Sequence, residues 1–410
     1  MGKIQAVILC AGKSTRTYPL TLTRPKPLLQ MAGATLLEYT LFQLQGLVDE
    51  VILVCGYMRQ SLEAQVAHIQ ETWAGSAGFE FTFVEQQEQL GTAHAILQAE
   101  SAIRGDFFVL NGDDLYGRGD LEAMVGGGPQ VLVQEIPDVS RFSSLTLNDQ
   151  GRVTEVVEKP PQGGPGIAGL GMYLFEPGIF EHIRKTPLSS RGEYEITETL
   201  NSYLKDVCLR VHTVKDFWIP IGYPWSVISA SMNLMTGPFY AQLCHNLVRH
   251  LGFENLGDGI LVGPSVTIDP KAIVKGPLII GGDTRILGGA SVSGPGFIGK
   301  NVRIGANATV CCSCLFDEAR IGSESSFIFS LAGRGCQLGS NIDVESRPHG
   351  GGLATSVIKG VSEETGMTDL GCILADGARV ENSVCFASGV KVWPEQTVES
   401  NVFLQADLEF

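Results

Sequence analysis

Charged residues are scarce in this chain of 410 residues, and cations are scarcer than anions. Lys and Arg number 29 against 44 Asp and Glu, which gives a formal net charge of −15. A surface of this sign argues against nucleic acid or an acidic membrane as the main partner. It does not argue against a nucleotide, because one local cluster of cations with a divalent ion can hold a triphosphate.

The sequence also lacks an apolar run long enough to cross a membrane, and its first ten residues read as the start of a strand rather than a secretory signal. Both absences predict a cytoplasmic protein with no membrane partner. The ten cysteines are then expected to be free thiols. A tight group, Cys311, Cys312 and Cys314, has no second pair at zinc-site spacing, so structural thiols are expected there as well.

Strand-like and helix-like segments alternate from residue 1 to about residue 235. Strands are predicted at residues 6–9, 50–55, 80–84 and 107–110, and helices at 35–47, 60–69 and 94–100. This alternation predicts an α/β fold with a mostly parallel sheet covered by helices on both faces. Ligands of such sheets bind beyond the carboxyl ends of the strands.

A six-residue apolar period begins after Gly257, where charge falls and glycine becomes frequent. Its members are Val262, Ile268, Val274, Ile280, Ile286, Val292, Ile298, Ile304 and Val310. A period of six is typical of a β-helix built from hexapeptide turns. It slips near residues 316–338 and returns at Val380, Phe386, Val392 and Val398. We therefore predict an α/β domain over residues 1–235, a helical linker over 236–257 and a β-helix over 258–410.

The loop after the first strand combines a glycine, hydroxyls and several cations. It runs from Leu9 to Pro27, and its cations are Lys13, Arg16, Arg24 and Lys26. A strand that runs into such a loop is a way to hold phosphates. The stretch at residues 12–15, GKST, resembles the end of a P-loop, but Val7 stands where that motif needs its first glycine.

The same loop reads LCAGKSTRTYPLT and is followed by RPKP, which resembles the signature of the sugar-1-phosphate nucleotidylyltransferases. That signature is L-[AG]-[AG]-G-x-G-T-R-x-x-P-x-T followed by P-K-P, and Ser14 replaces its second glycine. Many members carry a left-handed β-helix after the catalytic domain, so the resemblance covers nearly the whole chain. It implies a Rossmann-like nucleotidyltransferase domain over residues 1–235 and a left-handed β-helix over 258–410.

The implied reaction joins a sugar 1-phosphate to a nucleoside triphosphate and releases pyrophosphate. Because both reactants are anionic, cations and Mg²⁺ suffice to hold them in line. By the resemblance, Arg16 neutralises the β and γ phosphates, and Lys26 lies between the reacting phosphates. Asp113, in the segment NGDD after a strand, matches the family's magnesium ligand. The first loop would contact the nucleotide through Leu9, Ala11 and Gly12.

The segment EQQEQLGTA at residues 85–93 resembles the family's base-reading segment. Gln86 lies five residues before Gly91 and Thr92, which is the pattern of members that use UTP or dTTP. A glutamine amide can donate and accept at once, which suits a pyrimidine edge. The sequence leaves the choice between UTP and dTTP open.

Two later segments resemble the family's sugar-facing segments, namely EKP at residues 158–160 and GEYEIT at residues 192–197. By the resemblance, Glu158 binds sugar hydroxyls and Lys159 binds the sugar phosphate. Glu193 is the expected hydroxyl acceptor of the second segment. The identity of the sugar stays open.

Three further positions depart from the family's pattern. Pro220 stands where a second metal-binding aspartate is usual, Ser143 where a sugar-contacting glycine is usual, and Gly169 where an asparagine is usual. A proline side chain cannot bind a metal. These departures support an alternative interpretation, in which the chain is a catalytically weak regulatory subunit that senses nucleotide sugars.

The β-helix allows a second alternative, because some relatives use it as an acetyl-CoA-dependent N-acetyltransferase with a histidine general base. Ser323 stands where that histidine is expected, and His349 is the only histidine after residue 257. The favoured role of the β-helix is self-association, since such β-helices commonly form trimers in this family. The other histidines, including His94, are expected to be packing or surface residues.

Overall fold

A computed structural model describes residues 4–73 and 78–410 and divides the chain into two compact units. The first contains the residues up to Lys13, Pro25–Pro27 and Leu36–Pro220. The second contains Ser14–Arg24, Leu28–Thr35 and Ile221–Phe410. Two pieces of the first 35 residues are therefore grouped with the C-terminal part of the chain.

The elements up to residue 220 alternate between strands and helices. The strands are β1 (Gln5–Leu9), β2 (Gln30–Met31), β3 (Ala34–Thr35), β4 (Glu50–Cys55), β5 (Glu80–Glu85), β6 (Phe107–Asn111), β7 (Asp114–Tyr116), β8 (Gln130–Ile136), β9 (Ser143–Leu147), β10 (Val153–Glu158), β11 (Gly166–Phe175), β12 (Arg210–Thr213) and β13 (Trp218–Pro220). The helices are α1 (Leu36–Leu44), α2 (Arg59–Thr72), α3 (Thr92–Leu97), α4 (Arg118–Met124), α5 (Ile179–Ile183) and α6 (Ile196–Tyr203). Single 3₁₀ turns lie at Thr15–Thr17, Leu20–Leu22, Lys26–Leu28 and Glu100–Ala102.

The large sheet of the first unit has the strand order β10-β9-β11-β6-β1-β4-β5, and β8 pairs with β11 and β12. β1 is parallel to β4 and β6, and β4 is parallel to β5. Every residue of β4 is buried, as expected for a parallel strand that helices cover on both faces. The α/β prediction is confirmed. The sheet is mixed, because β11 runs antiparallel to β6, β8 and β9.

After residue 220 two helices lead into many short strands. The helices are α7 (Ser226–Thr236) and α8 (Tyr240–Leu251), and they are separated at Gly237-Pro238, where proline cannot donate to a continuing helix. The strands that form the β-helix coils are β14 (Glu254–Gly257), β15 (Ile260–Val262), β16 (Thr267–Ile268), β17 (Ile273–Lys275), β18 (Leu278–Ile280), β19 (Arg285–Ile286), β20 (Ser291–Ser293), β21 (Gly296–Ile298), β22 (Arg303–Ile304), β23 (Thr309–Cys311), β24 (Cys314–Leu315), β25 (Arg320–Ile321), β26 (Ser326–Ile328), β27 (Leu331–Ala332), β28 (Gln337–Leu338), β29 (Asp343–Val344), β32 (Ile373–Leu374), β33 (Arg379–Val380), β34 (Cys385–Phe386), β35 (Lys391–Val392), β36 (Thr397–Val398) and β37 (Phe403–Leu404). An inserted hairpin consists of β30 (Thr355–Ile358) and β31 (Val361–Glu364). No helix among the described residues is both long enough and apolar enough to cross a membrane.

The coil strands form three sheets in which consecutive coils pair in parallel, apart from the first strand, β14, which runs antiparallel to β15. Val262 pairs with Ile280 and Ile280 with Ile298, so one coil of 18 residues contains three hexapeptides. Most of the periodic side chains predicted from the sequence are buried along one core, and Ile268 and Val274 of the first coil pack against it half-buried. The predicted left-handed β-helix is confirmed.

The slip in the period has two causes. Ile298 pairs with Leu315, and Leu315 pairs through β24 and β27 with Ala332, so two coils are one residue shorter. Ala332 then pairs with Leu374, because an insertion that carries the β30–β31 hairpin lies between those coils. The six-residue period continues on both sides of each change. All ten cysteines are free, as predicted.

Lys391, on β35, is only 1% exposed. Its Nζ donates to Ser356 Oγ at 2.9 Å and to Val357 O at 2.6 Å, both on the inserted hairpin. The same Nζ lies 2.7 Å from Asp407 Oδ2. Burial lowers the pKa of Lys391, and the Asp407 carboxylate opposes that shift. This lysine therefore ties the hairpin and the C-terminal segment to the last coil.

We expect Lys391→Met to lower the free energy of unfolding by about 3 kcal/mol, because the Asp407 carboxylate, which is 12% exposed, then loses its cation. Urea denaturation of the full chain measures this loss. Lys359→Met, at an exposed lysine in the turn of the same hairpin, is the matched control and should change little. Equal stability of Lys391→Met and the wild type would contradict this interpretation.

Candidate functional site

The predicted site lies where the parallel strands end. Leu9, the last residue of β1, pairs with Asn111, the last residue of β6, and Gly112 N donates to Leu9 O at 3.1 Å. Gln86 N, directly after β5, donates to Cys55 O at 2.8 Å. The loops after β1, β5 and β6 therefore emerge from the same edge of the sheet, as the topology requires.

Lys26 and Asp113 form an ion pair at this edge. Lys26 Nζ lies 2.7 Å from Asp113 Oδ2, and the side chains are 5% and 41% exposed respectively. The lysine is thus held inside the protein with its charge directed to a carboxylate that still reaches solvent. The lysine predicted to lie between the reacting phosphates and the predicted magnesium ligand are therefore in direct contact.

Asp114, next in the chain, is buried and is not equivalent to Asp113. Burial raises the pKa of Asp114 to about 7, and the charge of Asp113 adds to the increase, whereas Lys26 opposes it. Pro220 pairs with Asp114 across β7 and β13. The position of the usual second metal ligand therefore contributes no carboxylate next to Asp114.

The carboxylates at this edge suit a magnesium ion that takes most of its ligands from substrate phosphates and water. No group of three or more His, Cys, Asp or Glu side chains suited to a metal occurs in residues 4–73 and 78–410. Mg²⁺ commonly uses one or two carboxylates and completes its octahedron with substrate phosphates and water. The exposed carboxylate of Asp113 satisfies that requirement.

The first loop and the base-reading segment are joined by hydrogen bonds. Ala11 O accepts from Gln89 Nε2 at 2.7 Å and from Tyr57 N at 3.1 Å. Ala11 is buried, whereas Gly12 is exposed and a Cβ placed there would meet no atom within 4 Å. Gly12 thus leaves open space beside a loop whose backbone is fixed at Ala11.

Gln86 is buried, at 4% exposure, and it reaches two groups of its own segment. Its Nε2 lies 3.2 Å from Gly91 O and 3.0 Å from His94 Nδ1. His94 was expected to be a packing or surface residue, and the structure places its ring against the predicted base-reading side chain. The contact joins the loop after β5 to α3 across eight residues of the chain, which residue types alone do not reveal.

The base-reading and second sugar-facing segments are directly bonded. Tyr194 N donates to Leu90 O at 2.7 Å, and Ala93 N donates to Tyr194 O at 2.9 Å. Gly91 has a φ of +114°, and a Cβ there would lie 2.5 Å from Tyr194 O, so a glycine is required. Thr92 Oγ1 accepts from Ile196 N at 2.9 Å, which gives this predicted nucleotide contact a structural partner.

The predicted sugar-binding side chains gather around Arg191, which the sequence reasoning missed. Its guanidinium lies 3.3 Å from Glu158 Oε1, 3.7 Å from Glu193 Oε2 and 3.0 Å from Glu195 Oε1. Lys159 Nζ also lies 3.3 Å from Glu158 Oε1. The cluster therefore joins both sugar-facing segments and offers carboxylates for hydroxyls together with cations for a phosphate. Its only sequence signal is an arginine directly before the GEYEIT segment.

Arg16 and Arg24 lie in the second unit and have different surroundings. Arg16 is exposed, with its guanidinium 5.9 Å from the centre of the Tyr223 ring. Arg24 is paired with Asp376 of the β-helix, to which Thr23 Oγ1 also donates at 2.7 Å. Arg24 is one of the four cations of the first loop, and its charge is directed to Asp376.

Ser14 adopts a backbone conformation that favours glycine, with φ 50° and ψ 51°. This explains why a glycine is usual there, since the left-handed region costs a side-chain-bearing residue roughly 1 kcal/mol. Ser14 O accepts from Thr17 N at 3.0 Å and from Thr21 Oγ1 at 3.0 Å, which holds the turn in place.

Two of the three departures from the family's pattern are neighbours. Ser143 and Gly169 pair across β9 and β11, and Ser143 Oγ donates to Gly169 O at 3.4 Å. A Cβ at residue 169 would lie 2.5 Å from Ser143 Oγ. The serine thus fills space that the missing asparagine side chain leaves, so the two replacements form one compensating change.

The two candidate histidine positions of the β-helix give little support to acyl transfer. His349 lies in the insertion, with its side chain 84% exposed and Nε2 3.2 Å from Glu345 Oε2. Ser323, at the expected position of the general base, carries only a hydroxyl.

The chain is similar to several known proteins. Residues 5–237 match the family model described as nucleotidyl transferase, and residues 274–407 match the one described as GMPPB C-terminal domain. The chain is 25% identical over 413 residues to the bifunctional protein GlmU of Methanococcus maripaludis, covering 99% of this chain and 96% of that protein. It is 33% identical over 230 residues to the UTP–glucose-1-phosphate uridylyltransferase AglF of Haloferax volcanii, covering 54% of this chain and 92% of that protein. A crystal structure of UDP-glucose pyrophosphorylase complexed with UDP-glucose matches with a TM-score of 0.51 at 24% identity over 56% of this chain and 97% of that chain, which shows the fold alone.

We expect Gly169→Asn to destabilise the chain by about 1–3 kcal/mol, because the new side chain overlaps Ser143 Oγ. The double variant Ser143→Gly/Gly169→Asn should recover about 1 kcal/mol of that loss, since it restores the usual pair of residues. Urea denaturation of the wild type, both single variants and the double variant measures the coupling. Strictly additive effects would contradict the compensating pair.

Proposed function

Since the chain belongs to the nucleotidyl transferase family, we propose that it transfers a nucleotidyl group from UTP or dTTP to a hexose or (N-acetyl)hexosamine 1-phosphate. The products are a nucleotide sugar and pyrophosphate. The observation that carries the proposal is the Lys26–Asp113 ion pair, with 2.7 Å between Nζ and Oδ2, at the carboxyl edge of the parallel strands.

In this reaction a phosphate oxygen of the sugar 1-phosphate attacks the α-phosphorus of the triphosphate. The new P–O bond forms as the bond to the β-phosphate breaks, and pyrophosphate leaves with the electron pair. No protein nucleophile is needed, so the protein's task is to align two anions and lower their repulsion. Lys26 would neutralise the charge between the reacting phosphates, and Arg16 would hold the departing pyrophosphate.

Asp113 would hold a magnesium ion together with the nucleotide phosphates and water. When bound, the ion supplies positive charge to the phosphate oxygens. Because Lys26 also contacts the Asp113 carboxylate, its ammonium group would lie close to the phosphates that share this site. There it would neutralise negative charge of the substrates.

The sugar 1-phosphate would bind at the Arg191 cluster. Glu158 and Glu193 would accept hydrogen bonds from sugar hydroxyls, and Lys159 would bind the phosphate. Arg191 supports this role because it contacts glutamates from both sugar-facing segments and so fixes their separation. The pyrimidine would be read by Gln86, with Leu9, Ala11, Gly12, Gly91 and Thr92 around the nucleotide.

The β-helix would mediate self-association, and the expected assembly is a trimer. Similarity over the full length to a relative named as the bifunctional protein GlmU favours a second activity there. Against acetyl transfer stand Ser323 at the position of the expected base and the exposed His349. We therefore place the catalytic activity in the first 235 residues.

The experiment is a substrate panel with UTP or dTTP, Mg²⁺ and several sugar 1-phosphates, in which pyrophosphate release is measured. We expect release with one matched pair of substrates and a loss of about 100-fold or more in kcat for Lys26→Ala. Lys271→Ala, at an exposed lysine of the β-helix, is the control and should retain full activity. Circular dichroism should show that Lys26→Ala is folded.

Two outcomes would contradict the proposal. Absence of pyrophosphate release with every pair would favour the regulatory alternative that Pro220 suggests. Full activity of Lys26→Ala would remove the role assigned to that lysine.

A further inference from the structure

The amide nitrogen of Gln86 has both of its hydrogens directed to protein groups. Gly91 O lies 3.2 Å from Nε2, and His94 Nδ1 lies 3.0 Å from the same atom. An amide nitrogen carries two hydrogens, so these two acceptors occupy it fully. Gln86 is 4% exposed, which makes an unsatisfied hydrogen on Nε2 costly.

The orientation of this amide is set by its neighbours. A carbonyl oxygen can only accept, so Gly91 O excludes the flipped amide, in which Gln86 Oε1 would face it. His94 Nδ1 accepts only in the neutral tautomer that carries its hydrogen on Nε2. The arrangement therefore assigns one tautomer to His94 and one orientation to Gln86.

Gln98 competes for the same imidazole. Its Nε2 donates to His94 O at 3.0 Å and lies 3.2 Å from His94 Nε2. A neutral imidazole has a single lone pair to offer, so it can accept from only one of the two glutamines. Gln86 makes the shorter contact and is more deeply buried, whereas the half-buried Gln98 can give its second hydrogen to water.

The remaining polar atom of the Gln86 side chain is its carbonyl oxygen, Oε1. Among residues 4–73 and 78–410, no group donates a hydrogen bond to Gln86 Oε1. An acceptor without a donor in a buried side chain at the carboxyl edge of the sheet is a place where a ligand N–H can bind.

We propose that His94 is a positioning residue for base selection, which rests on the proposed function of this site. By accepting from Gln86 Nε2, His94 leaves Oε1 as the atom that reads the pyrimidine. Oε1 accepts from the N3–H of uracil or thymine. It repels cytosine, which has a lone pair at N3, so the chain discriminates UTP and dTTP from CTP.

The test compares kcat/KM for UTP and CTP, each with Mg²⁺ and the sugar 1-phosphate that the wild type uses. His94→Phe keeps a ring but removes the acceptor, so the Gln86 amide can turn and the UTP-to-CTP ratio should fall about tenfold. His94→Asn places a carbonyl oxygen near the position of Nδ1 and should restore most of the ratio. His68→Phe, at an exposed histidine of α2, and Gln98→Leu should leave the ratio unchanged.

A second measurement does not depend on turnover. Long-range ¹H–¹⁵N correlation of histidine-labelled full chain reports which ring nitrogen carries the hydrogen, and comparison with His94→Asn assigns the signal. We expect a bare Nδ1 and a protonated Nε2 for His94. The opposite tautomer would overturn the inference, even if His94→Phe fails to fold.

The outcomes separate this inference from the proposed function. A wild type that releases pyrophosphate, together with an unchanged UTP-to-CTP ratio in folded His94→Phe, overturns the role of His94 alone. A wild type that uses neither UTP nor dTTP overturns the proposed function and, with it, base selection by His94.

Discussion

The ion pair between Lys26 and Asp113 is the contact on which the rest of the site depends. An ammonium group on a side chain only 5% exposed needs an anion beside it, because an isolated buried charge is very costly. Asp113 supplies that anion and is itself 41% exposed. The pair therefore holds a cation at the edge of the sheet beside a carboxylate that still reaches solvent.

The remaining groups are arranged around this edge by backbone contacts rather than by long side chains. Gln89 joins the base-reading segment to Ala11 of the first loop. Tyr194 joins the same segment to the second sugar-facing segment, through a close approach that only Gly91 allows. The first loop, the predicted base-reading segment and the second predicted sugar-facing segment are thus parts of one hydrogen-bonded framework.

Much of the architecture could be predicted from the sequence, because it depends on local periodicity. The alternation of buried strands and helices predicts β1, β4, β5 and β6, and the six-residue period predicts the coils of the β-helix. The shortened coils and the insertion could not be predicted in detail. A one-residue deletion at a corner leaves the core side chains in place, but it interrupts the six-residue spacing by which they are recognised.

The location of the candidate site could be predicted, because its loops follow the ends of the parallel strands. Lys26 and Asp113 meet because parallel strands place their loops at one edge, although 87 residues separate them in the chain. Three other features depend on distances across loops and strands. They are the pairing of Arg24 with Asp376, the Arg191 cluster, and the compensation between Ser143 and Gly169. The spacing of residues in the sequence does not predict those distances, so they are known only from the structure.

Since Pro220 provides no second carboxylate, we expect Asp113 to hold a metal only together with nucleotide phosphates. Electron paramagnetic resonance of Mn²⁺ titrated into the full chain, with and without UTP, tests it most directly. We expect no stoichiometric Mn²⁺ binding without UTP, and protein-bound Mn²⁺ with UTP, which Asp113→Asn should weaken. Stoichiometric binding in the absence of nucleotide, or an unchanged bound signal in Asp113→Asn, would contradict it.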